Sequence, residues 1–243
     1  MIETAGLQKR FGPVRAVADV SFTARDGSIT GLLGANGAGK TTTLRIIAGA
    51  LRQESGTIRV DGCSPQDDLP VQRRLGALLD HTGLYARLTV REHLAYFGEL
   101  YGLSRKQINE RIQQLLTTLG MNGVAGRRAG ELSQGQRMKV ALGRAMIHSP
   151  QNLLLDEPTN GLDVPTVRAL RTILTQMRDA GMCILFSSHV LEEVQALCDT
   201  VVILAHGVSV ACGSPAEVCR QTGTSSLEMA LLSTTGGTGV EHV

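Results

Sequence analysis

Nine residues constrain this chain more than any others. Gly34-Ala35-Asn36-Gly37-Ala38-Gly39-Lys40-Thr41-Thr42 fits the pattern GxxxxGK[ST]. An apolar run, Ile29 to Leu33, stands before it, and TTTLRIIAGAL overlaps its end, with Leu44, Ile47 and Leu51 at helical spacing. A strand that feeds a glycine-rich turn and then a helix is the local geometry of a phosphate-binding α/β protein. The glycines let successive backbone N–H groups converge on a phosphate, and the helix adds its positive end. In such a loop Lys40 bridges the β- and γ-phosphates, Thr41 offers its hydroxyl to Mg²⁺, and Thr42 touches the α-phosphate.

The rest of the chain reads as strands and helices around that loop. Val17 to Phe22 and Ile29 to Leu33, broken by Gly12-Pro13 and Asp26-Gly27, predict short strands and hairpins. Ser55 to Val60 and Leu75 to Leu79 predict two more. Between about Thr89 and Ser149 the pattern turns helical, with capping boxes at Thr89/Glu92, Ser104/Gln107 and Ser133/Gln136. Asn152 to Leu155 and Met182 to Phe186 are short buried strands. They flank an amphipathic helix, Val164 to Ala180, that has Asp163 as its N-cap and Pro165 in its first turn. Two further capping boxes, Ser214/Glu217 and Ser225/Glu228, open short helices, and STTGGTGVEHV reads as a frayed tail. No internal repeat is evident.

Composition narrows the function. Of 243 residues, 24 are basic and 22 acidic, a balance that argues against nucleic-acid binding through a basic face. The lack of Trp and the 3% aromatic content argue against base-stacking surfaces. No stretch approaches the roughly 18 apolar residues of a membrane span, and the N-terminal sequence lacks the pattern of a signal peptide, so a cytosolic chain is expected. The five cysteines are scattered without CxxC spacing, which suggests core residues rather than disulfides or a zinc site.

Two more elements bear chemistry. Leu153-Leu154-Leu155-Asp156-Glu157 is an apolar strand that ends in two carboxylates. Alternation along a strand lets Asp156 face a metal while Glu157, just beyond, orients and polarises a water on the γ-phosphate side. Leu132-Ser133-Gln134-Gly135-Gln136 lies at a helix start, where on its own it is an ordinary cap.

In this order the three motifs resemble the ATP-binding cassette family, and the match extends over nearly the whole chain. The resemblance implies an α/β fold: a RecA-like P-loop ATPase core with an N-terminal antiparallel β subdomain and an inserted α-helical subdomain. It divides the chain into core (1–84 and 151–212), helical signature subdomain (85–150) and C-terminal helices with a tail (213–243). It implies ATP and Mg²⁺, and a head-to-tail dimer with a second cassette, expected to be another copy. In that dimer Ser133 and Gly135, with Gln136 beside them, approach the γ-phosphate held by the partner's phosphate loop. The residue-by-residue match makes Phe11 the adenine-stacking aromatic and Asp163, in Gly161-Leu162-Asp163, part of the interface turn. His189 matches the histidine that contacts the γ-phosphate and positions the water, 32 residues beyond Glu157. The catalytic set is then Lys40, Glu157 and His189, and the metal set Thr41, Asp156 and Asp80. Asp80 departs from the pattern: many cassettes carry glutamine there, so its metal contact carries over only through a shorter, charged side chain.

The resemblance also implies separate transmembrane permease subunits, docking where Leu84 to Arg91 falls, on the cytoplasmic face of the cell membrane. GLYARLTVREHL, LSQGQRMKVALGRAM and LLDEPTNGLDV, together with Asp80, are similar to the ATP-binding subunits of bacterial sodium-extrusion exporters. The competing class is that of soluble cassette ATPases acting on DNA, ribosomes or iron–sulfur assembly. The chain has neither a coiled-coil insertion nor a second cassette, and a lone P-loop switch or kinase leaves LSQGQ without a purpose.

Overall fold

The computed structural model describes residues 1–65, 71, 73–79 and 83–234. Strands β1 (Ile2–Phe11) and β2 (Val14–Ala24) form a hairpin through Gly12-Pro13, followed by β3 (Ser28–Leu33) and α1 (Lys40–Ile47). β4 (Ser55–Val60) and β5 (Leu75–Leu78) come next. The helices α2 (Val90–Leu100), α3 (Arg105–Thr118) and α4 (Gln134–Met146) lie between β5 and β6 (Asn152–Asp156). Then follow α5 (Val164–Asp179), β7 (Cys183–Ser188), α6 (Leu191–Leu197), β8 (Thr200–Ala205), β9 (Val208–Gly213), α7 (Pro215–Thr222) and α8 (Leu227–Thr234).

The strands join in one sheet of order β4-β1-β2-β9-β8-β3-β7-β6-β5. Its two ends differ in kind. β1 pairs antiparallel with β2 and β4, whereas β8, β3, β7, β6 and β5 run parallel. β9 returns antiparallel to β8 and meets β2 through Asp19 and Val208, which links the two halves.

Every residue of β6 and β7 is buried, because helices cover both faces of a parallel sheet. Alternation then divides their side chains. Leu154 and Leu185 pack with Leu44 and Ile47 of α1, while Leu153, Leu155, Ile184 and Phe186 pack with Leu142, Ile147, Leu170 and Leu174. Full burial of one such side chain contributes about 1.5–3 kcal/mol. All three capping boxes of the helical block form, as does the one at Ser214. Asp163 caps α5 as expected, accepting from the Thr166 N–H.

The expected box at Ser225/Glu228 is one residue out of register. The Ser226 hydroxyl accepts from the Met229 N–H, and the Ser225 hydroxyl bonds the Met229 sulfur. Two adjacent serines both fit a cap, and burial of Leu227 and Ala230 selects the second. α8 also runs to Thr234, into the stretch expected to fray; the remainder of that stretch lies outside the described residues. Among the described residues no helix is long and apolar enough to cross a membrane.

Candidate functional site

The parallel strands end where the phosphate-binding pattern begins. After Leu33 the chain leaves the sheet and wraps through Gly37 (φ +81°) and Gly39 (φ +101°) into α1. Gly39 has a packing reason as well as a conformational one: a Cβ there would lie 2.5 Å from the Ala16 carbonyl oxygen. Asn36, Gly37, Ala38, Gly39, Lys40, Thr41 and Thr42 line a cleft of about 600 Å³. Glu157 and His189, from the ends of β6 and β7, complete the same wall, so residues far apart in the chain converge on one cleft. Its volume lies within the range of roughly 300–1,000 Å³ typical of small-ligand sites.

Lys40 is buried at the centre of the cleft's polar contacts. Its ammonium donates to the carbonyls of Gly34 (2.7 Å) and Ala35 (3.2 Å) and lies 3.3 Å from Glu157 Oε1. The other Glu157 oxygen, Oε2, is 2.7 Å from Nδ1 of His189. Glu157 is 19% exposed and His189 43%, so the acid is sheltered and the histidine open to a ligand. Glu157 also has φ +48°, a left-handed conformation that a non-glycine residue adopts only when its surroundings impose it. Its N–H donates to both the carbonyl and the hydroxyl of Ser187 (3.2 and 3.0 Å), which fixes that turn. The turn, rather than strand alternation, aims Glu157 into the cleft.

Asp156, like Gly34 and Ala35, is not among the residues that line the cleft. It is buried at the end of β6 and accepts a 2.5 Å bond from the Ser187 hydroxyl on Oδ1. The chain holds no cluster of three metal-ligating side chains among the described residues. The Thr41 hydroxyl and the Asp156 carboxyl are nevertheless hard oxygen donors of the kind Mg²⁺ takes when phosphates and waters complete its shell. These residues fit the ion.

Phe11, Ser133, Gly135, Gln136 and Asp163 do not belong to the wall of this cleft. Phe11 is half exposed at the end of β1, with the Lys9 ammonium 5.7 Å above its ring. Ser133 is exposed at the N-terminus of α4. Its hydroxyl accepts from the Gln136 N–H (3.3 Å), and the Gln136 side chain accepts from the Ser133 N–H (3.1 Å). Gly135 abuts the start of α5, where a Cβ would come within 2.7 Å of the Thr166 side chain. Hydrogen bonds from Thr166 hold the exposed Asp163 carboxyl below the usual carboxylate range. Asp80 lies outside the described residues.

The sequence reading missed several neighbours. Val14, Arg15, Ala16, Asn160 and His206 also line the cleft, and Ser187 holds both acids. Asn160 and Ser187 were each within a few residues of a recognised motif. Val14 to Ala16 and His206 arrive through the β2 and β8–β9 pairings and carried no local signal.

Comparison with known proteins bears on the whole chain. A family model described as ABC transporter matches residues 17–160. The chain is 48% identical over 196 residues to the ABC transporter ATP-binding protein NatA of Bacillus subtilis (strain 168), covering 80% of each. It is 38% identical to the Nod factor export ATP-binding protein I of Rhizobium sp. (strain N33), over 88% of this chain and 71% of that one. The solved structure of an ATP-binding subunit of an ABC transporter superposes with a TM-score of 0.87 at 29% identity, covering 97% and 99% of the two chains.

Proposed function

Since this chain belongs to the ABC transporter family, as an ATP-binding subunit whose ATP hydrolysis is coupled to transport, we propose that it is the motor of an exporter. It closes on ATP as a head-to-tail pair of copies and drives separate permease subunits. One observation supports the dimer: Ser133 is exposed at its helix start and neither it nor Gly135 lines the chain's own cleft, which that helix start meets through Gln134 at the Asn160 carbonyl. In a second copy the same helix start can meet a γ-phosphate, where its N–H groups neutralise charge that is gone once the phosphate leaves.

Within each cleft the backbone of Asn36 to Gly39 and the Lys40 ammonium hold the phosphates, with Thr42 at the α-phosphate and Phe11 against the adenine. Thr41 and Asp156 hold Mg²⁺, which when bound offsets charge on the phosphate oxygens. Glu157 takes the proton of the attacking water, and His189, bonded to it, fixes the water's place relative to the γ-phosphate. Asp163 lies at the interface turn, and Asp80 takes the place of the glutamine that reaches the metal. We assign 1–84 and 151–212 to the ATPase core, 85–150 to the signature subdomain and 213–243 to the C-terminal helices and tail. The stretch 84–91, with Tyr85 exposed, faces the permease on the cytoplasmic side of the membrane. Similarity to a Nod factor export protein supports export. Sodium is the cargo to test first.

The test uses Glu157→Gln protein. With ATP and Mg²⁺ its mass in solution should double, and recovery from its native membranes should bring a multi-span protein with it. A mass that stays that of one chain would overturn the dimer. Recovery of ribosomes or assembly factors without a membrane protein would move the function to the soluble cassettes. Vesicles rebuilt with the recovered permease then decide cargo and direction by sodium flux.

A further inference from the structure

Glu193, in α6, is buried, only 8% exposed as a residue, yet the partners of its carboxyl among the described residues are two hydroxyls. Burying a carboxyl group costs free energy unless it is hydrogen-bonded, and packing alone would be served at lower cost by an apolar side chain. Which hydroxyls it takes is the informative point. Thr159 Oγ1 donates to Oε2, and Ser188 Oγ donates to the same oxygen at 3.2 Å. Thr159 lies two residues past Glu157 on the segment that leads to Asp163, and Ser188 immediately precedes His189.

The Ser188 hydroxyl also accepts from the Val190 N–H at 2.9 Å. His189 therefore lies between two residues tied to one hydroxyl, and that hydroxyl is tied to Glu193. From the other side, Nδ1 of His189 reaches Glu157 at 2.7 Å. The contacts close a ring: Glu157 to Thr159 along the chain, across Glu193 to Ser188, to His189, and back to Glu157.

We propose that Glu193 is a positioning residue for ATP hydrolysis, its carboxyl fastening the segment that carries Glu157 to the turn that carries His189 so that the two keep one register. This rests on the reading of Glu157 and His189 as the hydrolytic pair. Misplacement by about 1 Å at such a pair costs on the order of 100-fold in rate, and the clasp acts on that distance without touching the nucleotide.

The experiment compares wild type, Glu193→Ala, Glu193→Gln and Thr159→Val in the full chain, by steady-state ATP hydrolysis and by NMR of the His189 ring without nucleotide. Glu193→Ala should lower kcat by roughly 10- to 100-fold while KM for ATP moves less than about 3-fold. Its His189 resonances should shift and broaden. Glu193→Gln keeps one oxygen for both hydroxyls and should recover kcat to within about 3-fold of wild type. Adding Thr159→Val to Glu193→Ala should cost nothing further, since the alanine has already removed the contact that the valine removes. Should Glu193→Ala fail to fold, Glu193→Gln and Thr159→Val carry the comparison, Thr159→Val then being the variant that shifts His189.

A wild-type kcat with an unmoved His189 spectrum in Glu193→Ala, or in Thr159→Val in its place, would overturn the proposal. So would a loss of activity that follows only the fraction of folded protein. A wild-type chain without ATPase activity would count against the hydrolytic pair, while the His189 spectra would still decide whether the clasp exists.

Discussion

One hydroxyl reaches both acids at the end of β6. Ser187 Oγ donates to Asp156 at 2.5 Å and accepts the Glu157 N–H at 3.0 Å, because the β6–β7 register sets Asp156 opposite Ser187. Removing it leaves a buried carboxylate oxygen without its donor and loosens the left-handed turn at Glu157. Ser187→Ala should therefore lower kcat by roughly 10-fold with KM for ATP little changed, and Ser187→Thr should retain most of the rate. Steady-state kinetics of the two variants separates this from a binding defect; equal rates for Ala and wild type would rule out the orienting role. Glu157→Gln should go further, keeping ATP affinity while losing about 100- to 10,000-fold in turnover, whereas Lys40→Ala should weaken nucleotide binding itself. Nucleotide titration beside turnover tells the two apart. Lys40, Glu157 and His189 were legible in the sequence because each belongs to a contiguous motif or ends a strand. Ser187 was not, since its meaning comes from a partner 31 residues away across the sheet.

Among the elements, the β8–β9 hairpin shows what a linear reading loses. Its turn is His206 (φ +50°) and Gly207 (φ +77°). The Gly207 N–H donates to the Ala38 carbonyl in the phosphate loop (3.1 Å), while the Gly207 carbonyl accepts from Ala18 (2.7 Å) and Asp19 (3.1 Å) of β2. One glycine thus ties the phosphate loop to the antiparallel strands. A Cβ there would lie 2.9 Å from both the Ala16 carbonyl oxygen and the Ala18 nitrogen. Gly207→Ala should cost about 2–3 kcal/mol of stability and raise the Kd for ATP, because the loop moves with the turn. His206→Gly should be tolerated, since glycine adopts a positive φ freely. Denaturant unfolding with nucleotide titration checks both, and a Gly207→Ala protein as stable as wild type would refute the tie. The helices, by contrast, were nearly all readable, since a capping box is a local pattern four residues long. Where two serines stood side by side, at 225 and 226, only burial chose between them.

At the scale of the molecule, the core strands β3, β5, β6 and β7 and the helical block were legible from hydrophobic runs and caps, whereas β8 was not read. The joining of the antiparallel and parallel halves through β9 was not, because it depends on long-range pairing that leaves little local trace. One consequence of the helical block's packing concerns the stability of the whole chain. His93 of α2 is fully buried among Tyr85 and Phe97, with ring centroids 5.8 and 5.1 Å away, and neither ring nitrogen has a hydrogen bond among the described residues. Arg144 stands over Phe97, 5.4 Å from its ring. Burial, aided by Arg144, pushes the His93 pKa down from 6.5 to about 4. Above pH 6.5 the ring is neutral both folded and unfolded, and its contribution to stability is fully present. As the pH falls toward 4 the unfolded chain takes up a proton that the folded chain refuses, so stability is lost through that window, by about 2 kcal/mol at pH 5. His148, also pushed to about 4 chiefly by burial, adds a loss of the same sign. His93→Phe keeps an aromatic ring in the cluster and removes the titrating group, so urea unfolding at pH 7 and pH 5 should show the variant losing about 2 kcal/mol less than wild type. Equal losses would mean that His93 is charged in the folded chain, and the acid sensitivity of the molecule would then have to come from elsewhere.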